Sequence, residues 1–282
     1  MDKKKNETKV LRYRSCIYRP EDRGPERKIY LADYVDCGEE GRRELRALSD
    51  RRLLYCEDCG GHMVLYWATT DPRRQPHFQH LRAPGPEHPV RPPKSPLHVN
   101  GQTFLRRLLG QQLAGATVEE EQCLPGGQRA DVFAGLAAIS SGALPDLDIE
   151  IQCSPEPALE LRTAHLEANG IRVRWVFGIR SLDRLQNRRP PRKMEEAAAA
   201  HWPPPPGTPG PGPRMYITFD DRGQIVLVRE GADHEYRVLQ DPVLDPAAGT
   251  FYHMRWESLR KLGGSLEPPG FSRGESSVVP HA

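Results

Sequence analysis

The run Leu147-Asp148-Ile149-Glu150-Ile151-Gln152-Cys153-Ser154 constrains the fold more than any other part of this 282-residue chain. Side chains alternate across a strand, so Leu147, Ile149 and Ile151 point one way. Asp148, Glu150, Gln152 and Ser154 point the other. Three apolar positions in alternation anchor the strand in a core while its carboxylates face a cleft. A charge within an apolar strand is costly unless something compensates it, so Glu150 needs a reason. Asp131, in Arg129-Ala130-Asp131-Val132, needs one too. If these two strands pair, Asp131 and Glu150 converge on one hard cation. Two carboxylates, completed by water and a substrate oxygen, suit Mg²⁺. Such an ion activates water and neutralises charge on a phosphodiester.

The surrounding pattern predicts an α/β unit. Leu105, Leu108, Leu109 and Leu113 fall at three- and four-residue spacing, giving a helix from about Pro96 to Leu113. Strands are expected at Thr117–Cys123, Arg129–Phe133 and Leu147–Cys153, with Pro125-Gly126-Gly127 separating the first two. Pro155-Glu156-Pro157 opens a second helix that stops at Gly170, and Ile171–Phe177 forms a fourth strand. The order is helix, three strands, helix, strand.

Ahead of this unit, Cys56-Glu57-Asp58-Cys59 is followed after 17 residues by His77-Phe78-Gln79-His80. Two thiolates and two imidazoles are a tetrahedral zinc set. Gly60-Gly61 permits a tight knuckle, and no recognition helix lies between the pairs. A structural Zn²⁺ with Cys56, Cys59, His77 and His80 is therefore expected, against reduced core cysteines beside unrelated histidines. Cys123 and Cys153 read as small core residues. Ser154 lacks the His/Asp pattern of a nucleophile.

Mean hydropathy of -0.66 is too polar for one large core, and the 28 prolines and 25 glycines cluster in connectors. The expected organisation is a zinc-bearing N-terminal region over 1–90, a core over 94–200 and a Pro-rich linker over 201–214. A small β domain over 215–262 and a tail over 263–282 follow. Residues 1–9 read as disordered, Lys28–Leu31 as a strand, Glu40–Ser49 as a basic helix and Met194–His201 as a further helix. The net charge of +2 does not itself predict nucleic-acid binding. Its distribution does more, with arginine clusters around an acidic pocket suiting a polyanionic substrate. No apolar run has the length of a membrane span, and the six cysteines suit a reducing compartment, so a cytoplasmic protein is expected.

Taken together, these words resemble the competence protein CoiA-like nucleases of the PD-(D/E)XK superfamily. The resemblance rests on Cys56-x-x-Cys59, His77-Phe78-Gln79-His80, His98, Arg129-Ala130-Asp131-Val132, Ile149-Glu150-Ile151-Gln152-Cys153-Ser154, Arg162 and Arg174-Trp175-Val176. It implies a restriction-endonuclease-like core in which Asp131 and Glu150 hold Mg²⁺ or Mn²⁺. Gln152 takes the superfamily's lysine position, and His98 and Glu120 complete the catalytic site. Arg129 and Arg162 then contact phosphate. Two positions depart from the family pattern: Lys94-Ser95-Pro96-Leu97 stands where acidic residues are usual, and Gln102 where lysine is. Neutral Gln152 cannot stabilise a phosphorane as lysine would, so another cation must act.

The expected function is hydrolysis of DNA phosphodiester bonds during processing of incoming or foreign DNA, in competence, recombination or defence. Two alternatives are a non-catalytic DNA-binding module and an adaptor whose C-terminal β unit recruits a helicase or nuclease partner. The sequence leaves open the oligomeric state, and whether the strand cut is single or double.

Overall fold

The computed structural model describes residues 13–67, 76–85, 88–89, 94–153, 158–179, 200, 202–203, 212–220, 222–230, 236–252 and 255–258. The chain divides into two compact units, residues 1–93 and 94–282. The expectations for residues 1–9, for the tail from 263 and for a helix at Met194–His201 (Ala200 apart) lie outside the described residues.

The first unit runs β1 (Ser15–Tyr18), β2 (Arg27–Tyr30), α1 (Leu31–Val35), α2 (Gly38–Asp50), β3 (Leu54–Tyr55), β4 (Met63–Tyr66) and β5 (His77–His80). Strand β1 pairs antiparallel with both β2 and β3, while β4 and β5 form a separate antiparallel ribbon. Cys16, Ile29, Leu31, Leu45, Leu54, Met63, Leu65 and Phe78 make its core. Gly41 lets α1 and α2 approach, because a Cβ there would lie 2.1 Å from the Tyr34 carbonyl oxygen. The Leu65 N–H donates to Ser49 Oγ at 3.0 Å, fastening α2 to β4.

The second unit begins with α3 (Pro96–Gln112), β6 (Val118–Cys123), β7 (Arg129–Ala134), a short α4 (Leu136–Ile139) and β8 (Asp146–Gln152). It continues through α5 (Leu159–Ala168) and β9 (Ile171–Gly178). After these come β10 (Met215–Phe219), β11 (Ile225–Glu230), β12 (Tyr236–Gln240), β13 (Val243–Asp245), β14 (Thr250–Tyr252) and β15 (Arg255–Ser258). Apart from α4, the first part follows the expected order of helix, three strands, helix, strand. Strands β6, β7 and β8 are an antiparallel meander, and α5 carries the chain over so that β9 runs parallel to β8.

One eight-stranded, mostly antiparallel sheet has the order β15-β12-β11-β10-β9-β8-β7-β6. The expected separate β domain is therefore corrected: β10 pairs parallel with β9, and β11, β12 and β15 extend the same sheet. The physical reason is the burial of both faces of β9 and β10. Val176, Met215 and Ile217 join Leu105 and Leu109 of α3 in one core. Trp175, Phe177 and Tyr216 join Leu159 and Leu166 of α5 in the other. Without β10, the hydrogen-bonding edge of β9 would be open to water. Among the described residues, no helix is long and apolar enough to cross a membrane.

Candidate functional site

In the first unit, Cys56, Cys59, His80 and His88 bring one ligand atom each within 4.8 Å of one another. Cys56 Sγ lies 3.4 Å from His88 Nε2, and Cys59 Sγ lies 3.3 Å from His80 Nε2. Those spacings match the edge of about 3.5 Å that tetrahedral zinc–sulfur and zinc–nitrogen bonds imply. The turn is closed by Cys56 N–H on Gly61 O and by Gly60 N–H on Cys56 O, with Gly60 at φ +66°. His88 Nδ1 lies 3.1 Å from the Pro89 carbonyl, an arrangement that leaves Nε2 for a metal. Burial pushes the Cys56 thiol up to about 11, so a cation is what would favour its thiolate. This Cys₂His₂ group could hold a metal such as zinc.

His77, the expected fourth ligand, lies outside the group. His77 and His80 sit on strand β5, where residues three apart face opposite sides. His77 stacks instead against Tyr66, with ring centroids 4.8 Å apart. His88 reaches the cysteines from the proline-rich connector.

In the second unit, Asp131 stands where β7 and β8 part. The ladder pairs Ala134 with Leu147 and Val132 with Ile149, then stops. Beyond it, Asp131 Oδ2 accepts the Ile151 N–H at 2.8 Å, so the carboxylate takes the place of a backbone partner. Oδ1 gathers three donors from the start of the unit. They are Lys94 Nζ at 2.6 Å, His98 Nε2 at 2.9 Å and Gln102 Nε2 at 3.0 Å. Lys94 stands just before α3, His98 in its first turn and Gln102 in its second, and the His98 N–H donating to Ser95 Oγ caps the helix. Burial opposes the Asp131 charge, yet the His98 hydrogen bond and Lys94 together hold this carboxyl at about 2. Burial also opposes charge on His98, but Asp131 and Cys153 raise it to about 9.

Glu121 completes that group, accepting from Lys94 and, at 2.6 Å, from Gln102. Its φ of +57° places a non-glycine residue in the left-handed region beside the site. Glu120, the expected site residue, is not brought there. It lies opposite Val132 and accepts from Arg106 Nε at 2.9 Å. The β6–β7 ladder skips Glu121, and its left-handed backbone turns this glutamate, not the Glu120 that the resemblance implied, toward the Lys94 and Gln102 donors.

On β8, Asp148 and Glu150 share a face, as the alternation predicts. Asp148 is fully buried, and no donor among the described residues reaches either of its oxygens. Glu150 is 4% exposed and ion-paired with Arg162 of α5. Burial pushes Asp148 up to about 7 and Glu150 well above the usual carboxylate range, with Asp131 adding to both. Arg162 also donates to the Arg129 carbonyl, while Arg129 donates to Glu121 O at 2.7 Å. Gln152 lines a cavity with Glu150, Arg162 and Trp175.

The structure thus brings Asp131 and His98 into direct contact and sets Glu150, Gln152 and Arg162 around one cavity. Sequence reasoning missed His88, Lys94, Gln102 and Glu121 as members of these groups. It placed Asp148 on the right face without assigning it a role. Among the described residues, the acidic groups do not bring three ligand atoms as close as the Cys/His group does.

Residues 94–201 match the family model described as "Competence protein CoiA, nuclease-like domain", a span that begins where the second unit begins. No curated protein and no solved structure matches the chain.

Proposed function

We propose that this chain, whose residues 94–201 match the CoiA nuclease-like family model, is a metal-dependent nuclease that hydrolyses DNA phosphodiester bonds. One observation carries the reading: Asp131 and Glu150 stand at the opening between β7 and β8, served by cationic side chains from two helices.

The donor set fits Mg²⁺ or Mn²⁺. Among the described residues no donor reaches the buried Asp148, which lies beside Glu150 and Asp131. Asp131 and Glu150 would hold the ion, with Asp148 behind them. A bound divalent cation supplies charge neutralisation and a more acidic water. His98 orients Asp131 through its Nε2 contact with Oδ1. Lys94 supplies the cation that Gln102 and Gln152 do not, with its ammonium directed at the Asp131 edge where phosphate charge would build. Arg162 holds Glu150 against α5.

Incoming or foreign DNA is the substrate this family assignment favours, and the Cys₂His₂ unit would be a zinc-stiffened module of the same protein. Cleavage of linear duplex, single-stranded and circular DNA in Mg²⁺ or Mn²⁺ tests the proposal. Cutting by wild type that is lost in Asp131→Ala and Glu150→Ala is expected. Folded, zinc-loaded protein that binds DNA but cuts none would instead favour a binding module.

A further inference from the structure

An ionised carboxylate has about four lone-pair positions on its two oxygens. At Asp131, four protein groups are directed at them. Oδ2 takes the Ile151 N–H, and Oδ1 takes Lys94, His98 and Gln102. A divalent ion that binds this carboxylate therefore has to displace one of these donors.

The four are not held equally. The Ile151 N–H is fixed in the backbone of β8. His98 and Gln102 belong to α3, which Leu105 and Leu109 anchor in the core. Gln102 is buried, and its Nε2 is also directed at Asp131 O at 3.2 Å and at Glu121 at 2.6 Å. Lys94 precedes the Ser95 cap and so stands outside the helix, with its side chain 32% exposed against 14% for His98. An ammonium on a flexible stem is strongly hydrated, so water readily replaces its partners. Its charge also bridges Glu121 of β6 to Asp131 of β7. Among these donors, Lys94 is the one that an incoming cation can move.

We propose that Lys94 is an autoinhibitory occupant of the cation site: its ammonium caps Asp131 in metal-free protein, and a divalent ion binds by displacing it. The inference rests on Asp131 being a metal ligand, as proposed above. A dication and an ammonium on one carboxylate oxygen repel each other, so each excludes the other. The displaced ammonium remains tethered beside Asp131, where its charge is available to a substrate phosphate. Metal loading and phosphate capture are thereby coupled through one side chain.

The test reads binding, not cutting. Mn²⁺ titration of zinc-loaded, DNA-free protein, with unbound ion followed by electron paramagnetic resonance, compares wild type with Lys94→Met. Methionine keeps an unbranched stem and removes the charge. Losing the competitor should tighten Mn²⁺ binding by about tenfold or more, the scale of one hydrogen bond to a charged group. In wild type, acetylation of Lys94 by acetic anhydride, read by peptide mass spectrometry, should be several-fold faster in saturating Mn²⁺ than without it. Equal Mn²⁺ affinity in the two proteins, or Lys94 labelling that Mn²⁺ leaves unchanged, overturns the exchange and leaves the cation site standing. If neither protein binds Mn²⁺, the cation reading itself fails and the exchange fails with it.

Discussion

Single residues decide what each site can be, and they divide the legible from the illegible. The alternation around Glu150 was readable because every residue in it obeys the strand period. The histidine pair was misread because His-x-x-His, placed on strand β5, sends its ends to opposite faces. The missing ligand, His88, lies in a proline-rich stretch without periodicity. His88→Ala should therefore abolish stoichiometric zinc binding, measured by metal analysis of the purified protein, whereas His77→Ala should retain it. The reverse pattern would refute the assigned ligand set. The acidic site makes a pH prediction whose sign follows from the raised carboxyls. Asp148, raised to about 7, contributes at low pH and loses that contribution as pH rises through about 7, and the raised Glu150 carboxyl acts in the same direction. His98, raised to about 9, contributes fully below its unfolded value and also loses its contribution as pH rises. In Mg²⁺-free buffer, the melting temperature of the second unit should fall between about pH 5 and about pH 9. Mn²⁺ should restore more of it at alkaline than at acid pH. A melting temperature that Mn²⁺ leaves unchanged throughout would contradict a cation site among these carboxylates.

At the scale of elements, α3 positions most of the donors around Asp131. Its register was legible from the leucine spacing, and its start from Ser95-Pro96, which cap the helix as the rules for N-termini predict. How close it lies to the sheet was not legible, because that depends on a residue without a side chain. A Cβ on Gly101 would meet Ile217 Cδ1 at 3.0 Å and Ile151 Cδ1 at 3.2 Å. Gly101→Val should destabilise the second unit by about 1–3 kcal/mol, the scale of overpacking a close-packed core. Because Ile151 also donates its N–H to Asp131, the same change should disturb the site. Chemical denaturation measures the first effect, and a cleavage rate that falls further than the loss of folded protein measures the second. The left-handed Glu121 is the other element-scale feature the sequence hides. Glu119-Glu120-Glu121 looks uniform, and only the kink in β6 selects the last of them.

For the whole molecule, the sequence suggested a nuclease core, a proline-rich spacer and an independent β unit. Composition marked a proline-rich spacer, most of which lies outside the described residues, but could not show that the chain returns to the sheet it left. The pairing of Met215, Tyr216 and Ile217 with Val176, Phe177 and Gly178 makes the C-terminal strands part of the same fold. A chain ended at Pro203 should therefore be insoluble or molten, since it exposes the β9 edge and deletes apolar residues from both cores. A soluble, cooperatively melting truncation would support the independent domain instead.

The most direct test of the catalytic reading is a titration of DNA cleavage against Mn²⁺, with Mn²⁺ binding followed in the same samples. Wild type should begin to cut over the concentration range in which the ion binds. Glu150→Gln should lose both, with cleavage reduced at least about a hundredfold, the scale of one lost transition-state contact. Cleavage that persists in metal-free buffer, or that Glu150→Gln leaves intact, would contradict the account.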